Sequence, residues 1–274
     1  MSAKAQSRLY RFAVYAGACF SMTVLALIVG YILVKGIPHL TPELFAWEYN
    51  SENVSMTPAI INTLLMTLLS LLVSMPLGIG AAIYLTEYAR RGSRLVKAVR
   101  MTAETLAGIP SIIYGLFGSL FFVVALKMGM SLLSGALTLS IMVLPTIMRT
   151  TEEALLAVPD SYREGSFGLG AGRLRTTFRI VLPSAAQGIL SGVILAIGRI
   201  VGETAALIYT AGTVPRVPES VLSSTRTLAV HMYVISTEGL HMDQSYATAV
   251  VLLVIVLGIN AFSTFVARKI KRGS

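Results

Sequence analysis

Residues 163–183 read REGSFGLGAGRLRTTFRIVLP, a basic and glycine-rich stretch that lies between two long apolar segments. A basic segment between two membrane spans is typical of the cytoplasmic side of a membrane. A short helix, capped by Asp160, is predicted to begin near Tyr162 and to end at the glycines that follow. A second helix is predicted up to Leu182, with Pro183 opening the next one. We therefore expect a helix–glycine–helix loop that stands off the membrane and can dock on another protein.

The composition predicts an all-α, polytopic membrane protein. Apolar residues make up 55% of the chain and charged residues only 13%, whereas about a quarter of a soluble domain is charged. The formal net charge of +9 does not indicate nucleic-acid binding, because the basic residues gather at the ends of apolar segments. The single cysteine, Cys19, excludes an internal disulfide.

Six apolar stretches are long enough to cross a hydrocarbon core of about 30 Å. We predict transmembrane helices near residues 12–34, 60–86, 103–126, 131–150, 184–210 and 246–267. Most of the 22 lysines and arginines lie on the side of the N-terminus, which predicts that both termini are cytoplasmic. The predicted parts are an N-terminal span with an outward segment (1–59), a transmembrane core (60–267) with a coupling loop (152–183), and a basic tail (268–274).

Two longer segments, 36–58 and 211–245, are predicted to face outward. The second contains His231, His241 and Asp243. Their spacing fits no compact metal site, so we predict a solvated loop and no bound metal.

Span five carries a charged pair, Arg199 and Glu203, in the stretch GRIVGETAA. Arg199 lies roughly 18 Å into the helix at 1.5 Å per residue, which is mid-bilayer. A charge at that depth costs about 2.5–3.5 kcal/mol. Glu203, at i+4, is expected to face the same side and to neutralise it in part. The pair either fixes the register of a buried helix or forms an anion site. We favour the anion site, because a guanidinium binds phosphate oxygens bidentately and charges inside membranes mark substrate paths.

Two further features concern packing and the break in span three. Small residues at four-residue spacing predict that span five packs closely on more than one side; they are Gly188, Gly192 and Ala196, then Gly198, Gly202 and Ala206. Pro110 is predicted to kink span three and to free backbone amides for an anion. Ser111 and Tyr114 would add hydroxyl donors, although the Tyr114 hydroxyl is equally compatible with a packing role.

Residues 164–183 resemble the EAA loop of ABC-importer permeases: Glu-Ala-Ala, three residues, Gly, nine residues, Ile-x-Leu-Pro. The matching positions are Glu164, Gly170, Ile180, Leu182 and Pro183, with Gly165 and Ser166 in place of the two alanines. In that family the loop docks on the ATPase subunit. The resemblance therefore implies a type I, MetI-like permease fold in which these seven residues form the coupling element between spans four and five.

The stretch GRIVGETA, with AETLAGIPSIIYGLFG at 103–118, resembles the permeases of the high-affinity phosphate importer (the Pst system), and PstA-type subunits above all. This resemblance implies import of inorganic phosphate across the inner membrane. It also implies a PstC-type second permease, a PstB-type ATPase dimer and a PstS-type phosphate-binding protein as partners. The candidate substrate-binding residues are Arg199, Glu203, Thr204, Ser111 and Tyr114.

The chain contains no GxxxxGK[ST] phosphate-binding motif and no nucleophile–base pattern. We therefore expect a transport subunit without catalytic activity or a bound cofactor, with ATP and Mg on the partner ATPase. Two alternatives stay open. One is a permease for another oxyanion, such as sulfate, molybdate or phosphonate. The other is a secondary carrier that uses Glu203 as a proton relay.

Overall fold

A computed structural model describes the backbone of residues 3–90 and 92–272 and the side chains of residues 7, 10–90 and 92–265. Within this part of the chain every regular element is helical and no strand occurs. The all-α prediction is confirmed.

Eleven α-helices follow one another in the described residues: α1 Ala3–Gly36, α2 Thr57–Ile83, α3 Arg94–Ala107, α4 Ser111–Gly118, α5 Leu132–Leu156, α6 Asp160–Gly168, α7 Arg173–Thr176, α8 Leu182–Val201, α9 Ala205–Thr210, α10 Leu228–Glu238 and α11 Met242–Arg272. Two short 3₁₀ turns follow α1, at Ile37–His39 and Pro42–Phe45. Three π-helical turns extend helices: Tyr84–Tyr88 after α2, Ser119–Ala125 after α4, and Thr177–Val181 between α7 and α8.

Five of the described helices are long and apolar enough to cross a membrane: Tyr10–His39, Thr57–Tyr88, Leu132–Leu156, Arg173–Val201 and Met242–Phe265. A sixth span exists if α3 is joined to Ser111–Ala125, but the two are bent by 102°. The predicted span at 103–126 is therefore wrong in its bounds. Pro110 lies in the break between α3, which ends at Ala107, and α4, which begins at Ser111; proline disfavours the helical conformation of the residue before it, so the helix does not continue through the break.

The centre of the bundle is α5, which packs on α2 and α8. Its residues Leu139, Met142 and Val143 are fully buried. A Cβ added at Gly192 would collide with the side chain of Thr150, and one at Gly188 would lie 2.5 Å from Cβ of Ala154. The prediction that this stripe of small residues allows close packing is confirmed.

The second stripe of small residues differs from the first. A Cβ added at Gly198 would meet no atom within 4 Å, and one at Gly202 would meet only the carbonyl of Gly198, at 3.5 Å. Gly198 and Gly202 therefore lie open within the described chain, whereas Ala206, the last member of this stripe, is fully buried. The helix α8 packs on α5, α11 and α2, so the prediction that span five packs on more than one side is confirmed.

Segment 211–245, predicted to be a solvated outward loop, is buried in part: residues 225–231 are buried, whereas residues 213–214 and 237–240 are exposed. It folds back into the bundle, where the Leu228 N–H donates to the Thr63 hydroxyl at 2.8 Å. Arg226 is only 3% exposed and His231 is fully buried. The Arg226 guanidinium carbon lies 4.6 Å from the centre of the Tyr49 ring, so segment 36–58 covers it. The described residues include no group of three or more His, Cys, Asp or Glu side chains that could hold a metal ion.

Candidate functional site

Two close contacts set the depth of Arg199. The helices α5 and α8 run antiparallel, with Gly188 against Ala154 and Gly192 against Thr150. Continuing this register for seven residues along each helix brings Arg199 level with Val143. Val143 lies near the middle of α5, which spans Leu132–Leu156. The half-buried Arg199 side chain therefore lies at mid-span, where a charge is costly.

Arg199 and Glu203 do not lie on one helix. The helix α8 ends at Val201 and α9 begins at Ala205, so a break separates the two side chains. The buried Glu203 carboxylate accepts a hydrogen bond from the Ala206 N–H at 3.1 Å. Throughout the described residues, no hydrogen bond or ion pair joins it to Arg199. The predicted i+4 pair is thus wrong, because it assumed an unbroken helix; Glu203 instead satisfies an orphan N–H at the start of α9.

A second helix break lies beside the first. Gly115 of α4 packs directly on Ala206 of α9, since an added Cβ would lie 2.7 Å from the Ala206 Cα. Tyr114, one residue earlier, donates its hydroxyl proton to the Leu106 carbonyl at 2.7 Å and so bridges the bend after α3. It also lies within electrostatic range of Arg199.

Two hydroxyls flank these breaks. Ser111 is the first residue of α4, and Thr204 immediately precedes α9. Neither side chain makes a hydrogen bond to any described residue. The structure therefore gathers Arg199, Tyr114 and the starts of α4 and α9 in one region, and the Ser111 and Thr204 hydroxyls remain available as donors.

Charged pairs that the sequence interpretation missed lie on the α3 side of this region. Arg100 Nε donates to Glu152 at 2.6 Å, and Arg149 pairs with Glu104 at 3.6 Å. These four side chains line a cavity of about 260 Å³. The available signal was Arg149 at the end of predicted span four, followed closely by two glutamates.

The glycine-rich loop contains a helix and a sharp turn. The helix α6 runs Asp160–Gly168, so Asp160 is its first residue and not its cap. Gly170 has φ of +82°, a left-handed conformation that glycine adopts without strain. The Ser166 and Thr176 hydroxyls hydrogen-bond at 2.8 Å across this turn. The exposed Leu169, at 91% of its full surface, projects from the tip.

The second half of the loop is not a separate helix ending at Leu182. It is the beginning of the continuous helix Arg173–Val201, which carries Arg199 further along. Pro183 fits because it lies within the first turn of α8, where the π-helical turn precedes it. Ile180 lines a groove of about 930 Å³, together with Ser166, Leu169, Gly170, Ala171, Leu174, Arg175, Phe178 and Arg179. Glu164 and Gly165 are exposed on α6.

Residues 74–273 match the family model described as binding-protein-dependent transport system inner membrane component. The chain is 40% identical over 194 residues to phosphate transport system permease protein PstA of Pasteurella multocida, covering 70% of this chain and 69% of that protein. It is 32% identical over 245 residues to the probable ABC transporter permease protein YqgI of Bacillus subtilis, covering 83% of each. It is 32% identical over 265 residues to PstC of Mesorhizobium japonicum, covering 86% and 79%.

Solved structures share the fold. A chain of a bacterial alginate ABC transporter superposes with a TM-score of 0.67 at 17% identity, covering 96% of this chain and 97% of that one. A chain of the MetNI methionine ABC transporter gives a TM-score of 0.60 at 19% identity, covering 78% and 93%. At these identities the likeness supports the MetI-like, type I importer fold.

Proposed function

Because the chain belongs to the family of binding-protein-dependent transport system inner membrane components, we propose that it moves inorganic phosphate across the inner membrane. Membership in the family makes the chain a non-enzymatic permease subunit of an ABC importer, which works with an ATPase and a binding protein. The identity to proteins named PstA and PstC supports phosphate as the substrate.

The observation that carries the proposal is the mid-span Arg199, which has no carboxylate partner among the described residues. A guanidinium stays charged at any physiological pH, and no described carboxylate of this chain offsets its cost in the membrane, so we assign that role to the transported anion. Its planar fork matches two oxygens of a phosphate. The Ser111 and Thr204 hydroxyls and the first amides of α4 supply further donors. We assign Glu203 the role of holding α9 in place, and Tyr114 that of holding the bend that presents Ser111.

The loop around Gly170 is the proposed ATPase-docking element. Glu164, Gly165 and Ser166 lie on α6, and the exposed Leu169 supplies an apolar contact at the tip. The helix that contains Ile180, Leu182 and Pro183 continues to Arg199. A displacement of the loop by the ATPase would therefore move the helix that presents Arg199 to the anion. ATP and Mg bind on the partner ATPase in this scheme, and this chain holds no cofactor.

The proposed assembly contains a PstC-type permease, a PstB-type ATPase dimer and a PstS-type binding protein. The proposed topology has both termini and residues 87–102 in the cytoplasm, with segments 36–58 and 211–245 outside. Cysteine labelling in a Cys19→Ala background checks it. Exclusive labelling of position 220 from the cytoplasmic side would contradict this orientation.

The experiment that tests the function is uptake by the assembled importer in proteoliposomes. We expect radiolabelled phosphate to accumulate only with ATP inside and binding protein outside, and unlabelled sulfate or molybdate to compete weakly. Preferred transport of another oxyanion would overturn phosphate as the substrate. Uptake driven by a pH gradient without ATP would favour the secondary carrier.

A further inference from the structure

Arg163, on the loop helix α6, uses its whole guanidinium group in hydrogen bonds. A guanidinium has five N–H donors, and each of them reaches an acceptor here. Nε and Nη2 donate to the Glu87 carboxylate, at 3.3 and 2.7 Å, and Nη2 also donates to the Leu155 carbonyl at 2.9 Å. Nη1 donates to the Val158 carbonyl at 2.8 Å and to Asp160 at 3.2 Å.

The acceptors belong to the ends of two different spans. Leu155 lies in the last turn of α5, and Val158 lies two residues beyond its end, where backbone carbonyls lack i+4 helical partners. Glu87 lies in the π-helical turn that ends the span containing α2. The Arg163 side chain therefore forms hydrogen bonds with groups at the ends of both helices.

This contact is more than a surface ion pair. The side chains of Arg163 and Glu87 are only 15% and 8% exposed. The hydrogen bonds that Arg163 donates to the Glu87 carboxylate raise the pKa of the guanidinium above its ordinary value, so Arg163 stays charged. Exposed pairs contribute little, whereas removing one partner of a buried pair leaves an uncompensated charge.

A second contact fixes the other side of α6. Ser166 is buried and hydrogen-bonds to Thr176 at the start of the helix Arg173–Val201. Ser166 stands where the EAA pattern has alanine, which has no hydroxyl, so that pattern alone does not predict this hydrogen bond. The loop helix is thereby attached to three spans.

We propose that Arg163, acting through Glu87, is a positioning residue that makes α6 and the cytoplasmic ends of α2 and α5 move as one rigid body. When the ATPase displaces α6, the ends of α2 and α5 then move with it, and the loop itself does not deform. The inference rests on the proposed function, because it takes α6 as the element on which the ATPase docks.

The test compares variants in the complete importer, reconstituted with its ATPase, second permease and binding protein. Arg163→Met removes all five donors, and Glu87→Gln keeps one acceptor oxygen but removes the charge. Arg94→Met is the matched control, because Arg94 is exposed on α3. We expect every variant to retain the ATPase in a pull-down. Phosphate uptake per ATP hydrolysed should fall on the order of tenfold in Arg163→Met, fall less in Glu87→Gln, and stay unchanged in the control.

A distance measurement separates this role from general stability. Spin labels at Ser161 on α6 and Tyr84 at the end of the α2 span, in a Cys19→Ala background, should give one narrow distance. We expect a broad distance distribution in Arg163→Met and in Glu87→Gln. If Arg163→Met does not fold, the milder variant Glu87→Gln still tests the inference. Wild-type uptake per ATP and a narrow distance in both variants would overturn the inference. A wild-type chain that binds no ATPase would instead overturn the proposed function.

Discussion

The glycine-rich loop and the middle of the membrane each contain an arginine, and the two arginines have opposite surroundings. Arg163 has every donor satisfied by carboxylates and carbonyls of its own chain. Arg199 has no hydrogen-bond or ion-pair partner within the described residues, although it lies where charge is most costly. The two charges therefore differ in hydrogen-bond saturation: Arg163 is fully bound within its own chain, whereas Arg199 has donors free for the ligand that we propose.

The acidic residues near the two arginines repeat the contrast. Glu87 faces Arg163 at 2.7 Å, whereas Glu203 turns to the Ala206 N–H and away from any pairing with Arg199. A permanent neutralisation of Arg199 would cancel the attraction for an anion. In the proposed anion site, the helix break between Val201 and Ala205 keeps Glu203 from neutralising Arg199.

The largest expected effect comes from Arg199 itself. Arg199→Leu should abolish phosphate uptake. Arg199→Lys should lose the bidentate fork, and with it roughly 1.5–3 kcal/mol for each charge-assisted hydrogen bond. Glu203→Gln retains an oxygen that can accept from Ala206, so we expect it to keep most of the uptake. Uptake assays on assembled importer measure all three.

The double variant Arg199→Leu, Glu203→Leu distinguishes the two interpretations of the charged residues. Removing both members of a purely structural pair is often neutral. Near wild-type uptake in this variant would contradict the anion site. If the variant still binds the ATPase in a pull-down, any loss of uptake results from a defect in translocation and not in assembly.

The next effect extends the comparison to the outward segment, where a buried base is neutral and not paired. Burial, and then the charge of Arg226, lower the pKa of His231 from 6.5 to about 3. The unfolded chain binds this proton below pH 6.5, but the folded chain does not until about pH 3. Stability should therefore fall as the pH drops through this window, by up to about 1.4 kcal/mol per unit. Thermal melts of the detergent-solubilised chain, with His231→Leu as the comparison, measure it; an equal pH slope in the variant would contradict the assignment.

Local signals in the sequence were enough to predict the loop. Its glycines and the spacing of Glu164, Gly170 and Pro183 predict a helix, a turn and a second helix, because turn conformation depends on residues close in sequence. The end of the second helix could not be predicted. Proline is tolerated in the first turn of a new helix, and here it also lies within a helix that began earlier at Arg173. The residues near Pro183 do not distinguish these two cases; packing against the rest of the bundle does.

The errors elsewhere arise from distant contacts and from helix continuity. The pairing of Arg199 with Glu203 follows from a helical period that the chain interrupts at Gly202. The burial of His231 depends on Tyr49, which lies far away in sequence. The kink predicted at Pro110 is confirmed, but its angle of 102° and the hydrogen bond from Tyr114 to the Leu106 carbonyl that spans it could not be predicted. Patterns of hydrophobicity contain none of this information.

A smaller effect is expected at the turn of the loop. Gly170→Ala should destabilise the turn by about 1–2 kcal/mol, because an L-residue in the left-handed conformation brings its Cβ close to the following carbonyl. Gly168→Ala is the matched control: its added Cβ meets no atom within 4 Å, and its φ is not left-handed. We expect weaker ATPase binding in Gly170→Ala alone. Equal binding in both variants would show that the turn does not shape the docking surface.

The smallest predicted effect concerns Gly165, where the family pattern has alanine. Gly165 lies inside α6, is exposed, and has no atom within 4 Å of an added Cβ. Alanine is favoured over glycine in a helix by roughly 0.5–1 kcal/mol, so Gly165→Ala should raise the melting temperature slightly. Because alanine is the family's own residue, ATPase binding should not change. A stabilised loop that binds the ATPase less well would show that the partner approaches this backbone closely, and that α6 is optimised for the contact at the expense of its own stability.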